Sequence, residues 1–190
     1  MLSIHIMSLL RSFLPDEVND PMWFAIGRTI NNFKYYNGSE SFNAHEVYDG
    51  IYVGDLSSSL NKYALKGNGI KHVLSVLNGC AENYPDDFTY NIIHVNDDDW
   101  IDISNHFEEC IAFIDKAITR NEKILVHCSR GVSRSVTMVL AYLIVKQGMT
   151  YDKALHTVRL KRIMANPNEG FKNQLLKYVK IIEKDLDEIT

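Results

Sequence analysis

The sequence predicts a single α/β domain in which helices flank a central mixed, largely parallel sheet. From Val47 onward, short β-branched runs alternate with longer amphipathic segments, as in folds whose parallel strands are joined by helices. The run Lys123–His127 is apolar enough for a central strand that is buried on both faces. With 190 residues, the chain is long enough for one core and short for two ordinary domains.

Each predicted strand is a compact apolar run between turn residues. The predicted strands are Ile51–Val53, His72–Leu77, Tyr90–Val95 and Lys123–His127. The last of these is interpreted as the sheet centre.

Amphipathic or fully apolar segments with recognisable ends predict the helices. Gly148 supplies a C-terminal stop, Ser104 and Thr150 are predicted N-caps, and Pro167 interrupts the pattern. The predicted helices are Ser57–Lys66, Ser104 to about Arg120, Arg134–Gln147, Thr150 to about Arg162, and Glu169 to near the chain end.

Residues 1–45 differ from the remainder and are predicted to be an N-terminal helical extension, followed by the α/β domain at 46–188. A helix beginning near Asp20-Pro21 places Trp23, Phe24 and Ile30 on one face. We expect this face to pack on the domain, and a partner-docking arm is the alternative. The apolar segment Met1–Leu14 is too short to span a bilayer.

Charge and cysteine content narrow the functional classes. The formal net charge is −4, which argues against nucleic acid and anionic membranes as partners. Three cysteines without regular spacing do not form a disulfide framework, and no cluster has zinc-ligand spacing. We therefore expect no metal, no cofactor and no membrane span, and a reducing location in the cytoplasm, with the nucleus as an alternative.

The segment after the predicted central strand carries the chemistry. Cys128 follows the strand directly, and Arg134 begins an apolar helix six residues later. A loop that enters a helix N-terminus presents free backbone N–H groups and a favourable dipole to an anion. Gly131 permits a backbone conformation that a side chain would resist. The residues predicted to bind an oxyanion are Ser129, Arg130, Gly131, Val132, Ser133 and Arg134.

Cys128 is the predicted nucleophile, since this environment lowers the pKa of a thiol. The planar guanidinium of Arg134 is suited to holding two phosphate oxygens. His127 is expected to support the cysteine by hydrogen bonds, although a satisfied histidine at a strand end would look the same. Ser135 is predicted to donate to the sulfur, with a simple role in the first helical turn as the alternative.

The run His127-Cys128-Ser129-Arg130-Gly131-Val132-Ser133-Arg134-Ser135 resembles the protein tyrosine phosphatase signature His-Cys-x5-Arg-Ser/Thr. It is most similar to that of the dual-specificity phosphatases, and the likeness extends from about Val47 to Lys177. The resemblance implies a small atypical member that hydrolyses phosphotyrosine and phosphoserine/phosphothreonine through a phosphocysteine intermediate. The longer tyrosine-specific members of that superfamily deepen the pocket with an added loop, so the resemblance of this shorter chain implies a shallow pocket.

The resemblance also implies roles outside this run. Asp97 matches the general acid, and Asp98 and Asp99 remain open as alternatives. Asn168 matches an asparagine that supports the active site. Arg162 matches a position that meets a second substrate phosphate in some members, and we expect it to join Arg130 and Arg159 in a basic rim. The alternative for Arg159 and Arg162 is that they are ordinary arginines on a solvated helix face.

Several other functions remain open. The same fold also acts on non-protein substrates such as RNA 5′-phosphates, glucans or inositides. A phospho-binding scaffold is a second alternative, although Cys128, Arg134 and a candidate acid are all present. A sulfurtransferase or arsenate reductase fits the Arg-Ser ending less well. The expected partner is a phosphorylated protein substrate, with a protein kinase as one candidate.

Overall fold

A five-stranded sheet in the order β1-β2-β5-β3-β4 forms the centre of the α/β domain. The computed structural model describes residues 42–187. Its strands are β1 Ala44–Tyr48, β2 Ile51–Gly54, β3 Ile70–Val76, β4 Thr89–Ile93 and β5 Lys123–His127. Strand β1 pairs antiparallel with β2, and the other three pairings are parallel. The predicted mixed, largely parallel sheet is confirmed.

Helices cover both faces of this sheet. They are α1 Leu56–Leu60, α2 Lys62–Gly67, α3 Phe107–Thr119, α4 Arg134–Gln147, α5 Tyr151–Arg159 and α6 Glu169–Asp187, with a 3₁₀ turn Ser104–His106 before α3. Helix α4 packs against the sheet and against α3, α5 and α6, which explains why it is apolar nearly all round. None of the helices within residues 42–187 has the length and apolarity needed to cross a membrane.

The central strand contributes to a core on each side of the sheet. Ile124 and Val126 belong to the large core around α4, whereas Leu125 belongs to a smaller core with Leu65 of α2. Successive side chains of a strand point to opposite faces, so an uninterrupted apolar run is needed for a strand that is buried twice.

Predictions at the centre of the domain agree most closely with the structure. Both β5 and α4 have the predicted limits. Gly148 ends α4 in a left-handed conformation with φ +62°. The Thr150 side chain accepts a hydrogen bond from the Lys153 N–H, as expected of an N-cap.

Other element boundaries differ from the predictions for local reasons. The helix predicted at Ser57–Lys66 is two helices, because the Asn61 side chain accepts from the Ala64 N–H and caps a new helix. The predicted cap Ser104 lies in the 3₁₀ turn, where its hydroxyl donates to Asp102 Oδ1. Helix α5 ends at Arg159, before the predicted limit of Arg162.

Strand β1 was not predicted, and it begins two residues before the predicted domain boundary at 46. Within it Val47 alone is buried, so the strand lacks the alternation of apolar residues that predicts a half-buried strand. The helix predicted near residues 20–36 lies outside the described residues.

The parallel register determines which loops meet. Gly54 of β2 and Ser75 of β3 are both aligned with His127 of β5. The segments that follow these strands, including Cys128, therefore leave the sheet at one edge. Ligand sites of open α/β sheets lie at this carboxyl-terminal edge.

Candidate active site

The residues 128–134, here called the cysteine loop, fold around the sulfur of Cys128. The Gly131 N–H lies 3.2 Å from Sγ, and the Ser135 hydroxyl donates to Sγ over 3.3 Å. Cys128 is only 1% exposed, and Ser135 is fully buried at the start of α4. The structure thus brings the predicted nucleophile and its predicted hydroxyl donor together.

The electrostatic environment of Cys128 favours its thiolate. Burial acts to raise the pKa of this thiol, but hydrogen bonds from the Ser135 hydroxyl and from the Ser135 and Val132 backbone outweigh it, together with the charge of Arg134. The pKa of Cys128 is therefore lowered from its ordinary value. Cys110, buried in the core at 0% exposure, is the contrasting case, since desolvation raises its pKa strongly.

Gly131 allows the cysteine loop to pass close to β2. Its φ is +66°, in the left-handed region that favours glycine. A Cβ atom at this position would lie 2.5 Å from Gly54 O and 2.5 Å from Arg162 Nη2. Any side chain here would displace either the strand end or the arginine.

Arg162 supports the cysteine loop from inside the protein. Its Nε donates to Gly131 O over 2.6 Å, and its Nη2 donates to Arg130 O over 2.9 Å. The remaining nitrogen, Nη1, contacts Asn43 O at 3.1 Å and His45 Nδ1 at 2.9 Å. With 1% exposure and all three nitrogens engaged, Arg162 points into the protein, which contradicts the expected contact with a second substrate phosphate.

The basic rim expected from Arg130, Arg159 and Arg162 therefore has fewer solvent-facing arginines than predicted. Arg159 donates from Nε to Ala165 O at 2.8 Å and from Nη2 to Asn166 Oδ1 at 2.9 Å, which ties it to the loop that follows α5. Arg130 is exposed on the cysteine loop itself. Of the three arginines expected in the rim, Arg130 is the one whose side chain faces solvent without a described hydrogen bond.

Asp97 lies next to the predicted phosphate-binding arginine. Its Oδ2 is 3.5 Å from Arg134 Nε, and its Oδ1 accepts from Asn168 Nδ2 at 3.0 Å. The Arg134 Nη1 also donates to Val95 O at 3.1 Å. Among the three consecutive aspartates, Asp97 is the one whose carboxylate the described contacts connect to Arg134.

Asn168 joins three parts of the site. Besides Asp97, its backbone N–H donates to Ser133 Oγ at 3.1 Å, and its Oδ1 accepts from the Phe171 N–H at 2.8 Å in the first turn of α6. The same segment donates from the Asn166 N–H to Val132 O at 2.8 Å. These bonds align the 166–168 segment with the cysteine loop.

His127 contacts a residue that the sequence analysis did not single out. Its Nε2 lies 2.7 Å from Ser75 Oγ on β3, and burial lowers the pKa of His127 to about 4, so the imidazole is neutral at pH 7. Ser75 is a polar residue within a buried strand, and this could have marked it. Asn43 and His45 carried no such signal, since they precede the predicted domain.

Comparisons with known proteins agree with this geometry. A family model described as the dual specificity phosphatase catalytic domain matches residues 51–181. The chain is 42% identical over 160 residues to dual specificity protein phosphatase 1B of Arabidopsis thaliana, covering 84% of this chain and 94% of that protein. It is 38% identical over 136 residues to human dual specificity protein phosphatase 22, covering 72% and 73%.

The fold has solved counterparts as well. The crystal structure of a human tyrosine phosphatase-like serine/threonine/tyrosine-interacting protein superposes with a TM-score of 0.71 and 30% identity, covering 75% of this chain and 99% of that one. Together with the family match over more than half of the sequence, these similarities show that the chain belongs to the dual specificity phosphatase family.

Proposed function

We propose that this protein hydrolyses phosphotyrosine and phosphoserine/phosphothreonine on proteins through a phosphocysteine intermediate at Cys128. The observation that carries the proposal is a thiol of lowered pKa inside a loop of backbone N–H groups, next to a paired arginine and aspartate. Membership of the family supports protein phosphatase activity in general. The resemblance to the family implies the residue roles in the two steps, and the contacts seen in this chain support them.

In the first step, the Cys128 thiolate attacks phosphorus and the bond to the ester oxygen breaks. The N–H groups of the cysteine loop and the guanidinium of Arg134 bind the phosphoryl oxygens, where fixed donors stabilise the transition-state charge. Protonated Asp97 gives its proton to the leaving oxygen, so that an alcohol or phenol departs. The phosphoryl group remains on Cys128 Sγ.

In the second step, water attacks the phosphocysteine and the sulfur leaves. Asp97, now ionised, takes a proton from the attacking water. The Ser135 hydroxyl, 3.3 Å from Sγ, donates to the departing thiolate and lowers the cost of its negative charge. Inorganic phosphate and the starting form of the enzyme result.

A protein substrate fits this chain better than the non-protein alternatives. The net charge of −4 disfavours a polyanion such as RNA. The relatives named above are called protein phosphatases, which supports phosphoproteins as the substrate class. We further propose a reducing compartment, the cytoplasm or nucleus, because the nucleophile must remain a thiolate.

The test is turnover of a small aryl phosphate and of phosphotyrosine and phosphothreonine peptides, with acid quenching to trap the phosphoenzyme. We expect turnover by the parent protein, a phosphorylated Cys128 in the quenched sample, and no turnover by Cys128→Ser. Cys110→Ser is the matched control, because its thiol lies in the core and has a raised pKa. Activity that survives in Cys128→Ser would exclude this mechanism.

A binding scaffold is the competing outcome, and one comparison gives it weight, since the human structural neighbour is named an interacting protein. A scaffold would bind phosphopeptides with no turnover of any of the three substrates. Affinity measurements on the parent protein therefore accompany the kinetic ones.

A further inference from the structure

Exposed apolar side chains are concentrated beside the candidate active site. Among the side chains that the structure describes, six large apolar ones are exposed, and four of them are Trp100, Leu160, Ile163 and Met164. Single exposed apolar residues are ordinary on a protein surface, whereas a concentration next to a ligand site indicates contact with a partner. We call these four residues the apolar rim.

Ile163 and Met164 are held at the border of the cysteine loop by their neighbours. Arg162 on one side donates to Gly131 O, and buried Ala165 on the other side donates its N–H to Arg162 O. Because these flanking residues point inward, Ile163 and Met164 face solvent, with exposures of 89% and 48%. Two large apolar groups are therefore displayed by a firmly anchored segment.

Trp100 is tied to the same region through the segment that carries the candidate acid. The Asn168 side chain binds Asp97, and Gly170 is so close to Asp99 that a Cβ would lie 1.9 Å from its carbonyl oxygen. Trp100, the next residue, is 81% exposed. The apolar rim thus occupies both segments that border the cysteine loop.

Charge indicates what this surface would bind. On the side of Ile163 and Met164, Arg130 and Lys161 are both exposed and basic, whereas exposed Asp99 adjoins Trp100 on the other segment. Cys128 is 1% exposed, so a phosphoryl group must enter the loop while the residues around it stay at the surface. A peptide that places a large apolar side chain and an acidic residue beside the phosphorylated one complements this surface.

We infer that the apolar rim recognises phosphoprotein segments that carry a large apolar side chain and an acidic residue near the phosphorylated residue. The inference rests on the proposed function for its substrate, and it adds a preference that the catalytic residues do not supply. Ile163 and Met164 contribute apolar contact, and Arg130 and Lys161 attract the acidic residue.

The test compares two phosphotyrosine peptides that differ only in whether leucine or glycine flanks the phosphotyrosine, beside a small aryl phosphate. For the parent protein, we expect kcat/KM on the leucine peptide to exceed that on the glycine peptide about tenfold. The double variant Ile163→Ser/Met164→Ser should lose this preference and keep its kcat/KM on the aryl phosphate. Ile181→Ser, an exposed isoleucine of α6, is the control and should behave as the parent.

Peptide affinity separates this inference from the catalytic proposal. Titration calorimetry with the Cys128→Ser form measures the leucine-over-glycine preference without turnover, so absent aryl phosphatase activity would overturn the proposed function alone. Equal affinities and equal kcat/KM for the two peptides would overturn the recognition surface. So would a double variant that binds phosphatidylserine vesicles less well than the parent while its peptide preference is unchanged, because the surface would then be a membrane contact.

Discussion

The cysteine loop and the aspartate that faces it are supported in different ways. Behind the loop stands Arg162, 1% exposed, which donates to two loop carbonyls, and Gly131 fits against β2 without room for a side chain. Asp97, whose side chain is 26% exposed, is held by the amide of Asn168 and by an Arg134 nitrogen 3.5 Å away.

This contrast fits the two kinds of work that we propose. Donors that stabilise transition-state charge are most effective when they are already fixed before the reaction. An acid that must exchange protons with leaving groups and with water needs access to solvent instead. The buried support of the loop and the partly open position of Asp97 match these needs.

Gly131→Ala should cause the largest loss of activity, because it disturbs the buried cysteine loop. The new Cβ would lie 2.5 Å from Gly54 O at a φ of +66°, so the loop must move. We expect kcat/KM on an aryl phosphate to fall roughly a thousandfold, since misplacing a catalytic group by about 1 Å costs a hundredfold or more.

Gly148→Ala is the matched control, because its φ is +62° but nothing lies within 4 Å of the new Cβ. It should cost about 1 kcal/mol of unfolding free energy, measured in urea, and leave kcat/KM unchanged. Equal activity losses in the two variants would point to backbone strain alone.

Asp97→Asn should abolish proton transfer by this partly exposed side chain and leave the cysteine loop in place. We expect kcat on a phosphothreonine peptide to fall about a hundredfold, with a smaller loss on an aryl phosphate whose leaving group needs no proton. Asp98→Asn and Asp99→Asn are the controls. A larger loss in either control would move the acid to that position.

Arg162→Met tests whether the hydrogen bonds from the buried Arg162 guanidinium set the geometry of the cysteine loop. Losing the donors to Gly131 O and Arg130 O should lower kcat on an aryl phosphate about thirtyfold, from about 2 kcal/mol of lost hydrogen bonding. Arg159→Met, which removes bonds to Ala165 and Asn166, should have a smaller effect. If only KM for a doubly phosphorylated peptide rose, Arg162 would be a substrate contact after all.

Ser135→Ala should produce the smallest change, visible mainly against pH. The hydroxyl donates to Sγ and lowers the pKa of Cys128, so its loss should move the acidic limb of kcat/KM to higher pH. Alkylation by iodoacetamide measures the same pKa directly. Thr137→Ala is the control, since its hydroxyl in the same helix donates to Ser133 O.

The same lowered pKa has a consequence for stability. Because the folded pKa of Cys128 lies below the unfolded one, its stabilising contribution is complete above the unfolded pKa. It is lost as pH falls through the folded pKa. Urea unfolding across this range should therefore show a smaller pH dependence in Cys128→Ser than in the parent.

Local patterns predicted the centre of the molecule well. The limits of β5 and α4 follow from unbroken apolar runs, and the loop between them follows from their junction. The family resemblance that pointed to Asp97 agrees with its contact to Arg134. In contrast, the sequence did not predict that Asn61 divides a helix into two, because a single capping residue does not change the apolar periodicity. It also did not predict β1, because a strand with one buried residue has no alternating pattern.

By itself, the sequence determined that a buried strand, an anion-binding loop with Cys128 and Arg134, and a buried helix follow one another, since all three depend on neighbouring residues. Only the tertiary structure decided that Arg162 points inward to the loop carbonyls while Ile163 and Met164 point outward. The direction of those side chains depends on which distant backbone groups need a donor. Those groups become neighbours only when the parallel register brings the strand ends to one edge.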